Sequence, residues 1–128
     1  MTENTHTFGQ RHAPTEIRLN RKAHTLDIDF DNNTSFAIPI ELLRVESPSA
    51  EVQGHAPSQK QLVSGKRDVE IEAITPVGNY AIAITFNDGH DSGYFTWNLL
   101  YRYGENQDAM MTHYLNELRA ANLSRDSV

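Results

Sequence analysis

The sequence predicts an α+β domain: a mainly antiparallel sheet of about six strands, with two short helices and one C-terminal helix. Three observations carry this expectation. Several runs alternate apolar and polar residues with a period of two, the mark of strands buried on one side. Clusters of Asn, Asp and Gly separate those runs and supply tight turns. Leu-Leu segments follow two of the strand pairs, and an apolar stripe at helical spacing occupies the C-terminal end.

Taken in order, Pro14 to Asn20 alternates Ile17 and Leu19 against Glu16, Arg18 and Asn20, and Leu26-Asp27-Ile28-Asp29-Phe30 repeats the pattern. Arg21 to His24 connects them as a hairpin. Asp31 to Asn33 is a second turn, because Asn and Asp tolerate left-handed backbone, and Phe36 to Ile38 returns. Pro39 suits the first position of a short helix with an apolar side of Ile40, Leu42 and Leu43, ending near Val45 before Pro48. Ser47 to Gly65 reads as a loop rich in Pro, Gly, Ser and Gln, and loops this long in compact domains tend to be functional or disordered.

Val69 to Ala73 and Tyr80 to Phe86 flank a turn at Thr75 to Asn79 and should pair as a hairpin, with Tyr80, Ile82, Ile84 and Phe86 facing the core. Asn87 to Asp91 is a tight turn before a return strand at Gly93 to Phe95. Thr96 caps a helix from Trp97 to Tyr103 that Gly104 stops, and a last helix runs from Asp108 to Ala121. Leu26 to Arg44 and Ile82 to Arg102 share one order of parts, which suggests an internal repeat of strand, turn, strand and helix. Residues 14–121 are expected to form one domain, with flexible arms at 1–13 and 122–128.

Composition closes several function classes. With no cysteine, the chain offers no disulfide, thiolate metal site or cysteine nucleophile of its own. A net charge of −6 argues against binding a phosphate backbone. The N-terminal residues have no apolar signal-peptide core and no segment is apolar enough to span a bilayer, so a cytoplasmic location without membrane contact is expected. None of the six histidines begins the His-x-Asp or His-x-Glu pattern of a non-haem iron oxygenase. Gly65-Lys66-Arg67-Asp68 lacks the first glycine and the hydroxyl residue of a P-loop. No nucleophile signature accompanies the serines, so an enzyme is not expected.

Ser47-Pro48-Ser49-Ala50-Glu51-Val52-Gln53-Gly54-His55, Gly65 to Val69, Pro76 to Tyr80 and Asp88-Gly89-His90-Asp91-Ser92-Gly93 occur in an order that resembles a family of small bacterial proteins. That family is named for its similarity to the N-terminal domain of gamma-butyrobetaine hydroxylase, and the resemblance spans roughly Pro14 to Tyr103. In the hydroxylases the domain holds a structural zinc through Cys-x-Cys-x-x-Cys and a histidine in an Asp-x-His turn. The resemblance places those positions on Ser47, Ser49, Val52 and His90, so one ligand remains and no bound metal is expected. Related domains fused to P-loop ATPases that handle iron–sulfur clusters imply an accessory role.

The expected function is therefore a non-catalytic accessory module that binds a protein partner, with no cofactor and no nucleic acid. Glu51, Gln53, His55, Lys66, Arg67, His90 and Asp91 supply polar contacts, and Trp97 anchors the His90 turn from beneath. The alternative is a divalent-metal or small-ligand site around His90 and His55, linked to iron–sulfur cluster assembly. The aromatic cluster between Tyr94 and Tyr103 is read as core packing.

Overall fold

The computed structural model describes residues 12–127. In chain order it contains β1 (Pro14–Asn20), β2 (Thr25–Phe30), β3 (Ser35–Pro39), α1 (Ile40–Val45), α2 (Ala50–Gln53), β4 (Ile71–Val77), β5 (Ala81–Phe86), β6 (Asp91–Thr96) and α3 (Trp97–Ala120). The strands form two separate antiparallel sheets, ordered β1-β2-β3 and β4-β5-β6. Each sheet is a meander that runs directly into a helix, β3 into α1 and β6 into α3. The internal repeat is thus one strand longer at each start than the segments that suggested it.

The two central strands supply matching faces to one core. Leu26, Ile28 and Phe30 of β2 and Ile82, Ile84 and Phe86 of β5 are all buried, and they pack in one cluster with Ile38, Leu42, Leu43, Phe95 and Leu100. Burying each of these larger side chains contributes about 1.5–3 kcal/mol, so the period-two pattern directs each strand's apolar face inward. A smaller cluster of Val45, Tyr114 and Leu118 joins the end of α1 to the later turns of α3.

Gly104 does not stop a helix. It lies inside α3, which runs unbroken for 24 residues where two helices were expected. A Cβ there would come within 2.4 Å of the Phe36 ring. The glycine lets a β3 aromatic lie against the helix backbone, and that packing offsets a helix-propensity cost of about 1 kcal/mol. Thr96 caps α3 as expected, its Oγ1 accepting from the Leu99 N–H at 3.2 Å.

The fourth strand is shifted toward the C-terminus of its expected place. Thr75, Pro76 and Val77 pair with Ala83, Ile82 and Ala81, so they belong to β4 and not to the turn. Pro76 is tolerated because β4 is an edge strand, where a missing N–H breaks no ladder. The turn contracts to Gly78, Asn79 and Tyr80, with φ of 53° at Gly78, and Tyr80 is left 42% exposed instead of facing the core. Val69 precedes β4 yet still packs into the core.

The expected loop from Ser47 to Gly65 contains α2 and a 3-10 turn at Pro57–Gln59. Within the C-terminal segment expected as a tail, 122–128, Ser124 and Arg125 bond to the residues before β4. The Gly65 and Arg67 N–H groups donate to the carbonyls of Ser124 and Arg125 at 2.8 and 3.0 Å. Arg125 also grips the buried Glu41 carboxylate, with Nη2 to Oε1 at 2.6 Å. Most of the expected N-terminal arm, 1–13, lies outside the described residues, and at its described end His12 stacks on Tyr101 with ring centroids 3.8 Å apart.

Candidate functional site

A β-bulge builds the site. Ala83 pairs with Tyr94 and Thr85 with Asp91, so Ile84 faces Ser92 and Gly93 together. Gly93 takes φ of 75°, which favours glycine, and a Cβ on it would lie 3.5 Å from Ser49. The start of α2 therefore sits close against the bulge. The Ser92 hydroxyl accepts the Ile84 N–H at 2.9 Å, which leaves the Ser92 carbonyl for a partner outside the sheet.

That partner is Ser47. Its fully buried hydroxyl donates to the Ser92 carbonyl at 3.0 Å and accepts the Ser49 N–H at 3.3 Å. It also lies 2.9 Å from His90 Nε2. A hydroxyl has one proton and two acceptor positions, so with its proton on Ser92 it must accept from His90. In this arrangement Nε2 is the donor to Ser47, and Nδ1 makes its hydrogen bond to the Glu51 carboxyl. Ser49 Oγ stands 3.4 Å from Nε2 as a longer contact. Gln53 completes the set by donating to the Ser47 carbonyl at 2.9 Å.

The positions that resemblance assigned to the cysteines thus converge on His90 in part. Ser47 and Ser49 bond to the imidazole, while Val52 is buried and offers no donor atom. One imidazole, two neutral hydroxyls and a valine do not suit zinc, which takes about four imidazole, thiolate or carboxylate donors. Among the described residues no group of three or more His, Cys, Asp or Glu is arranged to hold a metal ion.

Asp88 organises the other side of the same turn. Its Oδ2 accepts from Arg44 Nε at 2.8 Å and lies 2.7 Å from Lys66 Nζ, while Oδ1 accepts the His90 N–H at 3.1 Å. Partial burial alone would raise the Asp88 carboxyl. The hydrogen bonds from Lys66, Arg44 and the His90 N–H override it and hold the group well below the usual carboxylate range. The His90 turn is consequently tied to α1, to α2 and to the segment before β4.

Between these two sets of bonds lies a cleft of about 350 Å³, lined by Arg44, Ser49, Glu51, Asp88, Gly89, His90 and Asp91. Arg44 is 8% exposed, and its Nη1 is buried without a hydrogen-bond partner. Asp91 is exposed and accepts from Thr85 Oγ1 at 3.1 Å.

Of the residues expected at the site, Glu51, Gln53, His90 and Asp91 come together here, and Lys66 reaches it through Asp88. His55 does not line the cleft; it is exposed, with its N–H donated to Gln59 Oε1 at 2.9 Å. Arg67 points to Asp126 of the C-terminal segment, Nε to Oδ1 at 2.7 Å. Trp97 anchors a different turn from the one expected, since its indole N–H donates to the Asn79 carbonyl at 2.8 Å, between β4 and β5. Arg44 and Ser92 were not singled out from the sequence. The available signal for Arg44 was a lone cation near the end of the apolar helix Ile40–Val45.

Comparison with known proteins agrees with this architecture. A family model described as gamma-butyrobetaine hydroxylase-like, N-terminal, matches residues 17–101. Two NMR solution structures are similar to the chain. One is 42% identical with a TM-score of 0.79, over 93% of this chain and 94% of that one. The other is 45% identical with a TM-score of 0.80, over 100% and 92%. A crystal structure from Acidithiobacillus ferrooxidans, of a protein of unknown function in the DUF971 family, is 36% identical with a TM-score of 0.58, over 70% and 89%. Among curated proteins none matches.

Proposed function

The chain belongs to the gamma-butyrobetaine hydroxylase-like N-terminal family, and from that premise we propose that it is a non-catalytic accessory domain binding a protein partner at the α2 and His90 face. The observation that carries this reading is the makeup of the cleft. Every lining residue is polar or glycine, and two of them, Glu51 and Asp91, are exposed carboxylates. Small-molecule sites are predominantly apolar with a few polar groups, whereas the polar parts of protein interfaces hold side chains of a partner. The serine nearest the imidazole does not suit nucleophilic catalysis, because Ser47 is fully buried and its hydroxyl is saturated by three hydrogen bonds.

The second reading, a divalent-metal or small-ligand domain linked to iron–sulfur cluster assembly, is favoured by the gathering of Ser47, Ser49 and Glu51 around one imidazole. It is disfavoured because, among the described residues, the partners of His90 Nε2 are the neutral hydroxyls of Ser47 and Ser49. Capture from native cytosol on the immobilised chain tests the first reading. A bound protein should be lost with the double variant His55→Ala, Asp91→Ala and retained with His113→Ala on α3. Capture unchanged in the double variant would refute the binding face. Amide shifts induced by zinc or iron(II) at both Ser49 and His90 would instead support the second reading.

A further inference from the structure

We infer that a second copy of this chain docks, two-fold, on the outer face of the β4-β5-β6 sheet. Ile82, Ile84 and Phe86 turn one side of that sheet to the core, so the alternate residues form the other side. The register sets them in rows: Thr75, Ala83 and Tyr94 stand in one, Val77, Ala81 and Thr96 in the next. A third row, Ala73 and Thr85, ends on Asp91 at the corner, the one charged side chain of the three rows. Tyr94 is 57% exposed, and its ring meets that of Tyr80 edge to face, with centroids 6.5 Å apart.

The internal repeat supplies the comparison. The corresponding face of the β1-β2-β3 sheet carries Glu16, Arg18, Asp27 and Asp29 in its cross-strand rows. Arg18 bridges Glu16 and Asp29 at 3.3 and 2.8 Å, while Asn20 and Thr25 bond to Asp27. That face is built for water. Both sheets cover one core with their other sides, so the core does not explain why the second face holds alanine, threonine and tyrosine in place of charges. Protein interfaces are depleted of charge at their centres and enriched in tyrosine.

Charge points to a second copy as the occupant. A two-fold contact sets a surface against itself, so each charge on it meets its own like. At a net charge of −6, copies of this chain repel where carboxylates face one another, and the β4-β5-β6 face avoids this. Its shape is also self-complementary. Ala83 beside Tyr94 leaves a hollow for the Tyr94 ring of the other copy, and the two-fold axis repeats the contact. Strands of 7, 6 and 6 residues, about 4.8 Å apart and rising about 3.3 Å per residue, make a patch of about 300 Å². The two tyrosine rings extend it to about 500 Å² per copy. About 1,000 Å² in total is below the roughly 1,600 Å² of a standard interface, so the dimer is weak and reversible.

Of the cleft residues only Asp91 also lies in these rows, so the inference stands apart from partner binding at the His90 face. The test is sedimentation equilibrium of the full chain from about 10 µM to 1 mM, with amide shifts followed over the same range. The average mass should climb from monomer toward dimer, and the shifts that move should belong to the three rows and Tyr80. Raising sodium chloride from about 0.05 to 0.5 M should strengthen association about two- to tenfold, because salt screens the net charge and the contact holds no ion pair to weaken. Ala83→Arg and Tyr94→Glu, which set like charges against each other, should each weaken it by at least about tenfold. Ala37→Arg, exposed on the corresponding face of the other sheet, should leave it unchanged. A chain that stays monomeric to about 1 mM overturns the inference, as does association that both variants leave intact or that salt weakens. Cytosolic capture lost in Tyr94→Glu while the chain stays monomeric would give the face to a different protein and overturn the self-pairing.

Discussion

His90 Nε2 lies 2.9 Å from the buried hydroxyl of Ser47, which itself donates to the carbonyl of Ser92 in the bulge of β6. One serine thus ties the segment after α1 to both the histidine turn and the sheet. In zinc-holding relatives, as the resemblance implies, a metal ion connects these same positions. Here the connection consists of neutral hydrogen bonds on the Nε2 side and a carboxyl on Nδ1.

Ser47→Ala should therefore destabilise the fold far beyond the loss of one surface hydroxyl. It leaves the Ser49 N–H, the His90 Nε2–H and the Ser92 carbonyl without a shared partner, and buried unsatisfied groups cost about 1–3 kcal/mol each. A loss of roughly 2–4 kcal/mol in urea unfolding is expected, because water entry recovers part of the penalty. Ser49→Ala removes only a 3.4 Å contact and should cost under about 1 kcal/mol. Equal effects of the two substitutions would show that Ser47 is not the organising residue.

Restoring the thiolates should restore metal binding. In the triple variant S47C/S49C/V52C, His90 Nε2 already faces positions 47 and 49, and Glu51 sits on Nδ1 where an outer carboxylate orients a metal-binding histidine. The variant should retain one zinc per chain through gel filtration and melt higher with zinc than after chelation. The unmodified chain should melt at the same temperature in both conditions. A triple variant that folds but holds no zinc would separate this loop geometry from that of the hydroxylases.

The repeated meander was legible because its signals are local: alternation in β2 and β5, Asn and Asp turns, and a helix cap at Thr96. The continuity of α3 was not, because Gly104 carries the same local signal whether it ends a helix or admits Phe36, and the aromatic comes from a strand far away in sequence. The edge position of β4, which excuses Pro76, is likewise a property of the assembled sheet. At the site, Ser47, Ser49 and His90 could be placed from the resemblance. The Arg44, Lys66 and Asp88 group could not, since its ion pairs join positions 44 and 88 and positions 66 and 88 without any periodic pattern.

Gly104→Ala offers a clean contest between propensity and packing. Alanine improves helix propensity by about 1 kcal/mol, but its methyl would meet the Phe36 ring at 2.4 Å. Overpacking of this kind typically costs about 1–3 kcal/mol, so a net loss of stability is expected in urea unfolding. In a Phe36→Leu background the same substitution should become neutral or stabilising. Stabilisation in the unmodified background would mean that the ring moves aside freely.

Asp88 gives the fold a specific acid sensitivity. Its carboxyl is held below its ordinary value of 3.8 by Lys66, Arg44 and the His90 N–H, against the opposing effect of partial burial. A carboxyl with a depressed folded value contributes stability that is fully present above the unfolded value and is lost as pH falls through the folded one. The contribution should be intact at neutral pH and decline below about pH 4. Asp88→Asn removes the charge while keeping a side chain of similar shape, and it leaves Arg44 and Lys66 without an anionic partner. The variant should be less stable than the unmodified chain at pH 7, and the gap between them should narrow as both are unfolded in urea at successively lower pH. A gap that stays constant from pH 7 to pH 3 would show that the ion pairs, despite their 2.7 and 2.8 Å distances, contribute nothing that depends on the ionisation of Asp88.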